Sequence, residues 1–311
     1  MINHLLQKKT NGFTLLHDAM LQYFLNAKQG TEEITDFIEL LKGDEEGDLM
    51  KNLAFTKSGA RVVCLALAYG GAKDRKHILK MYKDTLQLMA GDPNGHIVIL
   101  TAYEVIDDTV LTAKSIFPEL LSKDEEKQAE NIVFSANDLN ARTTLLYLFQ
   151  GRSKSLFPAS HNSDLEILSE IDTIRTTTSK KDPEIRRQEL IKALSPYLLK
   201  AIASASRELI ATSFGCQFIT EVLFGAEGDK SAALEALAEA KDEVKKVLTK
   251  NKKKLDKAAK EETAEQKAKR EEFEAKEKEK KASGKGAAKK GKGAKEKEVG
   301  NKGSSMILAM I

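Results

Sequence analysis

From Phe55 to Lys80 the alternation of apolar and polar residues lays out one helix pair. Ser58 and Gly59 form a small, polar entry. Val62, Val63, Leu65 and Leu67 then supply an apolar helix, and Gly70–Gly71 interrupts it. Glycine tolerates the positive φ that ends many helices, so that conformation is expected at this break. Lys73–Asp74 opens a second helix carrying Ile78, Leu79 and Met81.

The same layout recurs on both sides. After a break at Asn11–Gly12, residues Leu15, Leu16, Ala19, Met20 and Phe24 fall at helical spacing. Thr31 is placed to cap a helix with Ile34, Phe37, Ile38 and Leu41 on one face. Acidic residues near its start suit the helix dipole. A short helix is expected from Met81 to Met89, followed by a break over Gly91–Gly95. Taken alone, His96 to Leu100 is short enough for a buried strand; the polar break before it and its helical neighbours predict a helix. Asp107–Asp108–Thr109 reads as a turn capping a helix from Val110 to Leu121. Ala141 stands at the small position of the next unit. Further helices are expected from Asp164 to Arg175, from Pro183 in a first turn, and from Pro196. The stretch from Phe214 to Asp229 repeats the opening layout.

The breaks at Gly12, Gly59, Gly95, Ala141 and Gly215 lie 47, 36, 46 and 74 residues apart. The last interval is read as two units of about 37, and helix pairs at such periods indicate an α-solenoid. Absence of Trp and only five Pro agree with an all-α chain.

Charge divides the chain. Residues 241–311 hold 23 Lys+Arg against 13 Asp+Glu, whereas residues 1–240 hold 27 against 34, a balance of −7. The expected organisation is a repeat array over 1–240 and a Lys/Glu-rich tail over 241–311, frayed-helical and then disordered. Electrostatic affinity for RNA in the tail is expected mainly after Lys280. No run of roughly 18 apolar residues marks a membrane span, and the N-terminal apolar core is too short for a signal peptide. Cys64 and Cys216 sit on apolar helical stretches and read as buried free thiols in a reducing compartment.

Three segments carry a resemblance. S-G-A-R-V-V-C-L-A-L-A-Y-G-G-A-K-D-R-K, H-I-V-I-L-T-A-Y-E-V-I-D-D-T and K-K-D-P-E-I-R-R-Q-E-L-I-K-A-L-S-P, in this order, resemble the divergent Pumilio-like family known as Puf-A or Penguin. The resemblance covers about residues 10–240 and includes that family's C-terminal CPL region. It implies a right-handed α-solenoid of PUF-like (armadillo-like) repeats. It also implies a nuclear, nucleolar protein that binds RNA with little sequence preference. The implied work is large ribosomal subunit assembly and pre-ribosomal RNA processing, beside ribosomal proteins or assembly factors; one branch represses a messenger RNA. Family members carry further repeats before and after this region, so exposed stacking faces are expected at the ends of the array.

By the register of PUF repeats the base-reading positions would be Ala60, Arg61 and Cys64; His96, Ile97 and Leu100; Arg142, Thr143 and Leu146; and Cys216, Gln217 and Thr220. Edge reading needs Asn, Gln, Ser or Glu, and these sets supply almost none, so base-specific readout is not expected. Arg61, His96, Arg142 and Gln217 are the RNA-contact candidates of this register. Two basic turns, Lys73–Arg75–Lys76 and Lys180–Lys181 with Arg186–Arg187, are candidates for phosphate. The competing reading is charged loops balanced by Asp74, Asp182 and Glu184. The five histidines lack zinc-site spacing, and Asp107–Asp108 reads as a cap rather than a catalytic pair. The glycines near 70 lack the Lys-Ser/Thr ending of a phosphate loop, and there is no nucleophile–base pair. The expectation is a non-enzyme without cofactor, metal or membrane partner. Two other functions stay open: a scaffold docking basic proteins on the acidic 1–240 segment, and a messenger-specific translational regulator.

Overall fold

The computed structural model describes residues 2–7, 11–28, 30–43, 47–122, 124–247 and 249–253. Among them the regular elements are helical and no strand occurs. The chain begins with α1 (Ile2–Gln7), α2 (Thr14–Asn26), α3 (Glu32–Lys42), α4 (Asp48–Ala54) and α5 (Lys57–Tyr69). It continues through α6 (Ala72–Met81), α7 (Leu86–Gly91), α8 (His96–Val105), α9 (Thr109–Leu120), α10 (Glu125–Asn137) and α11 (Leu139–Gln150). A 3₁₀ turn, Ala159–His161, leads into α12 (Asn162–Thr178), followed by α13 (Pro183–Ser204), α14 (Ser206–Ile210) and α15 (Ser213–Gly225). Residues 231–247 are also helical. The chain divides into two units, Met1–Ala238 and Glu239–Ile311. In the second, residues 239–247 and 249–253 are helical; the expected disorder after Lys285 lies outside the described residues.

The first unit is a solenoid-like stack. Helices α2, α5, α8, α11 and α15 pack one on the next, and α4, α7, α10 and α14 each pack on the long helix that follows them. One local device starts four of the five. Thr56 Oγ1 accepts the Gly59 N–H at 3.2 Å and Thr212 Oγ1 that of Gly215 at 3.0 Å. Asp92 Oδ1 accepts the Gly95 N–H and Asp138 Oδ1 the Ala141 N–H, both at 2.8 Å. Each bond satisfies a donor that a helix start leaves without a partner and fixes the entry of the chain.

Glycine stands at these starts because backbones meet there. A Cβ on Gly59 would lie 2.3 Å from the Leu53 carbonyl oxygen, and one on Gly215 2.0 Å from that of Leu209. The positive φ expected at Gly70–Gly71 is absent: φ is −64° and −75°. Gly70 is instead held against the Ala66 carbonyl, 2.7 Å from where a Cβ would be.

Three expectations change. The helix read as Met81 to Met89 is split, because Tyr82 turns inward and donates its hydroxyl to the Met50 carbonyl at 2.8 Å. Pro196 starts no helix but lies inside α13. Leu190, Leu194, Leu198, Leu199 and Ile202 are buried on both sides of it. At about 1.5–3 kcal/mol per buried side chain, they outweigh the roughly 3 kcal/mol of an interior proline. The 74-residue interval does not hold two stacked units either. α15 packs directly on α11, while the intervening α12 crosses back onto α5 and α8, and α13 runs along α8, α9 and α10. Of the two thiols, Cys64 is buried and Cys216 only partly so.

Large apolar side chains are exposed on the helices at the two ends of the series, Leu15 on α2 and Phe224 on α15 among them.

Candidate nucleic-acid interface

The base-reading register falls on α5, α8, α11 and α15, and α12 packs over α5 and α8. Several contacts fasten it there. Arg61 of α5 meets Glu170 at 2.9 Å, and His96 of α8 meets Asp164 at 3.0 Å. Arg175 pairs with Glu104 of α8. Thr178 donates its hydroxyl to the Ala68 carbonyl at 2.6 Å, and Arg152, just beyond α11, pairs with Asp172 at 2.6 Å. Ala60, Cys64, His96, Ile97, Leu100, Arg142, Thr143 and Leu146 are all buried. The register reaches solvent at Arg61 on α5, which is partly exposed, and on α15, where Thr220 is exposed and Cys216 and Gln217 are partly so.

The arginines and the histidine among the RNA candidates are mostly part of the framework. Arg75 is 3% exposed and donates to the carbonyls of Leu67, Val105 and Ala68 at 2.7–3.0 Å and to Thr178 Oγ1. It thereby ties the C-terminal ends of α5, α8 and α12 together. Arg186 is 1% exposed and donates to Asp107 at 2.7 Å and to the Lys181 carbonyl. Arg142 is buried with its guanidinium 3.9 Å from the centre of the Phe214 ring, a cation–π stack within the protein. Arg187 caps α11, donating to the Leu148 and Phe149 carbonyls at 2.6 and 2.8 Å. His96 is fully buried. Of these five, Arg75, Arg142, Arg186 and His96 are buried and present no donor to a phosphate in this conformation; Arg187 is partly exposed, its Nη1 3.5 Å from Glu184. The physical reason is common to the four arginines: a planar guanidinium is held at once by carbonyls, a carboxylate or an aromatic face.

Asp107 is the hub beneath the second basic turn. Burial pushes its carboxyl up, but bonds from Ser179 Oγ, the Lys180 N–H, Arg186 and the Lys181 N–H outweigh that and hold it well below the usual carboxylate range. The neighbouring Asp108 caps α9 by accepting the Leu111 N–H, as its place in the sequence predicts. Burial pushes the Cys64 thiol up to about 12, which makes it a core residue rather than a nucleophile.

The basic candidates that are fully exposed are lysines. Lys73, Lys76 and Lys80 lie on α6 and Lys83 just beyond it, all exposed. Their spacing of three and four residues puts Lys73, Lys76 and Lys80 along one ridge of α6, and Lys83 follows in the turn after it. The reading of the sequence found Lys73 and Lys76 but not Lys80 and Lys83; the i, i+3, i+7, i+10 pattern was the available signal. Lys180 is exposed, while Lys181 is paired with Glu189 at 2.5 Å. A cleft of about 650 Å³ opens between α9 and α13, with Lys114, Lys192 and Tyr197 in its walls. No described helix is long and apolar enough to cross a membrane.

Comparison with known proteins places this architecture. Residues 137–268 match the CPL (NUC119) domain. A Pumilio homology domain family member 6 of Schizosaccharomyces pombe is 32% identical over 235 residues, covering 76% of this chain and 34% of the relative. The crystal structure of human Puf-A in complex with DNA matches with a TM-score of 0.62 at 30% identity, over 73% of this chain and 41% of that one. The chain belongs to the divergent Pumilio-like family of Puf-A. Human Pumilio homolog 3 is similar at 31% identity over 226 residues, 72% of this chain and 32% of the relative. The chain thus spans about a third of the length of these full-length relatives. The CPL match takes in α11 and α12, so in this Puf-A-type chain the helix that covers the α5 and α8 part of the base-reading register belongs to the CPL region.

Proposed function

We propose that this chain is a non-enzymatic repeat protein that binds RNA largely without regard to sequence. It would act in the nucleolus, in large ribosomal subunit assembly and pre-ribosomal RNA processing, beside ribosomal proteins or assembly factors. The observation that carries the reading is the division of labour among basic side chains. Those in the base-reading register are paired or buried, Arg61 and His96 against α12 and Arg142 against Phe214, whereas Lys73, Lys76, Lys80 and Lys83 are exposed. Lysine ammonium groups neutralise phosphate without reading bases. The crystallised complex of the related human Puf-A with DNA supports nucleic acid as the ligand class.

The test is binding of the full chain to unrelated single-stranded and structured RNAs across a salt series. The expected result is similar affinity for all sequences, falling steeply with salt. Lys73→Gln/Lys76→Gln/Lys80→Gln should reduce the slope of log affinity against log salt by about two on single strands, with unchanged helicity by circular dichroism. An unchanged slope would remove the ridge as the contact. The net acidic balance of residues 1–240 favours a second reading, a scaffold for basic proteins. Absence of RNA binding by the intact chain, with retained binding of basic ribosomal proteins, would select it. A preference for one messenger sequence would instead select the translational regulator.

A further inference from the structure

His96, His161 and Asp164 converge inside the fold although no zinc spacing links them in sequence. His96 is the first residue of α8; His161 closes the 3₁₀ turn and Asp164 lies in the first turn of α12. The three are 0%, 6% and 6% exposed. His96 Nε2 and His161 Nδ1 each lie 3.0 Å from the same atom, Asp164 Oδ2. Among the described residues no other three His, Cys, Asp or Glu side chains bring ligand atoms into such a group.

The hydrogen-bond pattern leaves the centre of this group short of a cation. His96 Nδ1 lies 2.9 Å from the Asp92 carbonyl, which can only accept, so the proton of the neutral ring sits on Nδ1. Nε2 lies 3.0 Å from a carboxylate oxygen, which it meets either as the second N–H of an imidazolium or, on the neutral ring, with its lone pair. His161 Nδ1 approaches that oxygen outside hydrogen-bonding geometry and has no other hydrogen-bond partner. With both rings neutral and protonated on their other nitrogens, the site offers three lone-pair donors facing one another in a buried position. We propose that His96 Nε2, His161 Nδ1 and Asp164 Oδ2 bind one divalent transition-metal ion of the zinc class, which clamps the start of α12 to the start of α8.

The donor set fits. Two imidazoles and a carboxylate suit zinc, and tetrahedral metal–ligand bonds of about 2.0–2.2 Å put neighbouring ligand atoms roughly 3.3–3.6 Å apart, so the two 3.0 Å contacts need open by only a few tenths of an ångström. A ligating histidine ordinarily donates its second ring N–H to a carbonyl or carboxylate, as His96 does to Asp92. Water would complete the coordination. The role is structural: the ion would hold the CPL helix over the face it covers.

The test uses the full chain after chelator treatment, titrated with cobalt(II) as a spectroscopic probe and then with zinc. One cobalt per chain should bind with the visible absorption of low-symmetry nitrogen–oxygen coordination, zinc should displace it, and zinc should raise the melting temperature. His161→Ala should weaken binding at least tenfold, whereas His77→Ala, at an exposed position on α6, should leave it unchanged. No cobalt absorption and equal melting temperatures with and without zinc in the unsubstituted chain would overturn the proposal. So would undiminished binding by both His161→Ala and Asp164→Asn. Because the unsubstituted chain alone can refute it, a variant that fails to fold does not rescue it.

Discussion

Arg61 and Glu170, 109 positions apart in the sequence, meet at 2.9 Å where α12 lies across α5. Arg61 is the base-register side chain of its helix, and the pair holds it on a protein carboxylate. Both side chains are about a third exposed, at 35% and 29%. The pair therefore contributes only about 0.5–1 kcal/mol. Glu170→Gln should lower stability by no more than that while releasing Arg61, and RNA affinity should rise. Arg61→Gln should leave RNA affinity unchanged. Fluorescence anisotropy with a labelled RNA separates the two; a tenfold loss on Arg61→Gln would mean that the guanidinium already contacts RNA.

Asp107 and Arg186 give a pH dependence of definite sign. The Asp107 carboxyl is held below its unfolded value of about 3.9. Its contribution is therefore complete above that value and is lost as the pH falls towards the folded value. Asp107→Asn should cost about 3 kcal/mol at neutral pH, since the buried Arg186 loses its countercharge. The loss should shrink below pH 4, where the unfolded chain's carboxyl takes up a proton while the native one is still ionised. Urea titrations at pH 7, 5 and 3 test this; a constant difference between the two proteins would place the effect in packing rather than charge.

The repeat series was legible because its signals are local. Thr56 and Gly59, or Thr212 and Gly215, cap a helix and admit a neighbouring carbonyl within a few residues of chain. The path of α12 was not legible, because its anchors pair residues such as Arg61 with Glu170 and His96 with Asp164, whose separation no periodicity encodes. The same gap hid the roles of the basic residues. Within K-D-R-K the sequence gives Lys73, Arg75 and Lys76 equal standing, yet Arg75 is buried and both lysines are exposed. The residue type held a usable hint. Arg75, Arg142 and Arg186 are buried, held by carbonyls, an aromatic face or a carboxylate that a guanidinium fits, and the α6 ridge is lysine.

That distinction predicts opposite phenotypes for neighbours on α6. Arg75→Lys keeps the charge but cannot reach the Leu67, Ala68 and Val105 carbonyls together. It should cost about 2–4 kcal/mol, because buried acceptors are left without partners. Lys76→Gln should change stability by less than about 0.5 kcal/mol and weaken RNA binding. Thermal melts and binding isotherms on the two variants provide the check; equal melting temperatures would show that Arg75 is not holding the helix ends together.

Glycine substitutions test the stacking geometry itself. At Gly215 a methyl group would lie 2.0 Å from the Leu209 carbonyl oxygen, so α14 and α15 must separate to admit it. Overpacking of this kind costs about 1–3 kcal/mol, and here the obstacle is backbone rather than a flexible side chain. At Gly91, the last residue of α7, nothing lies within 4 Å of the added atom. Alanine there lowers the entropy of the unfolded chain at no steric cost and should stabilise by about 0.4–1 kcal/mol. Gly215→Ala should therefore lower the melting temperature and Gly91→Ala raise it. If both variants moved it the same way, helix propensity alone would govern these positions, and the close approach at the start of α15 would not be what demands glycine.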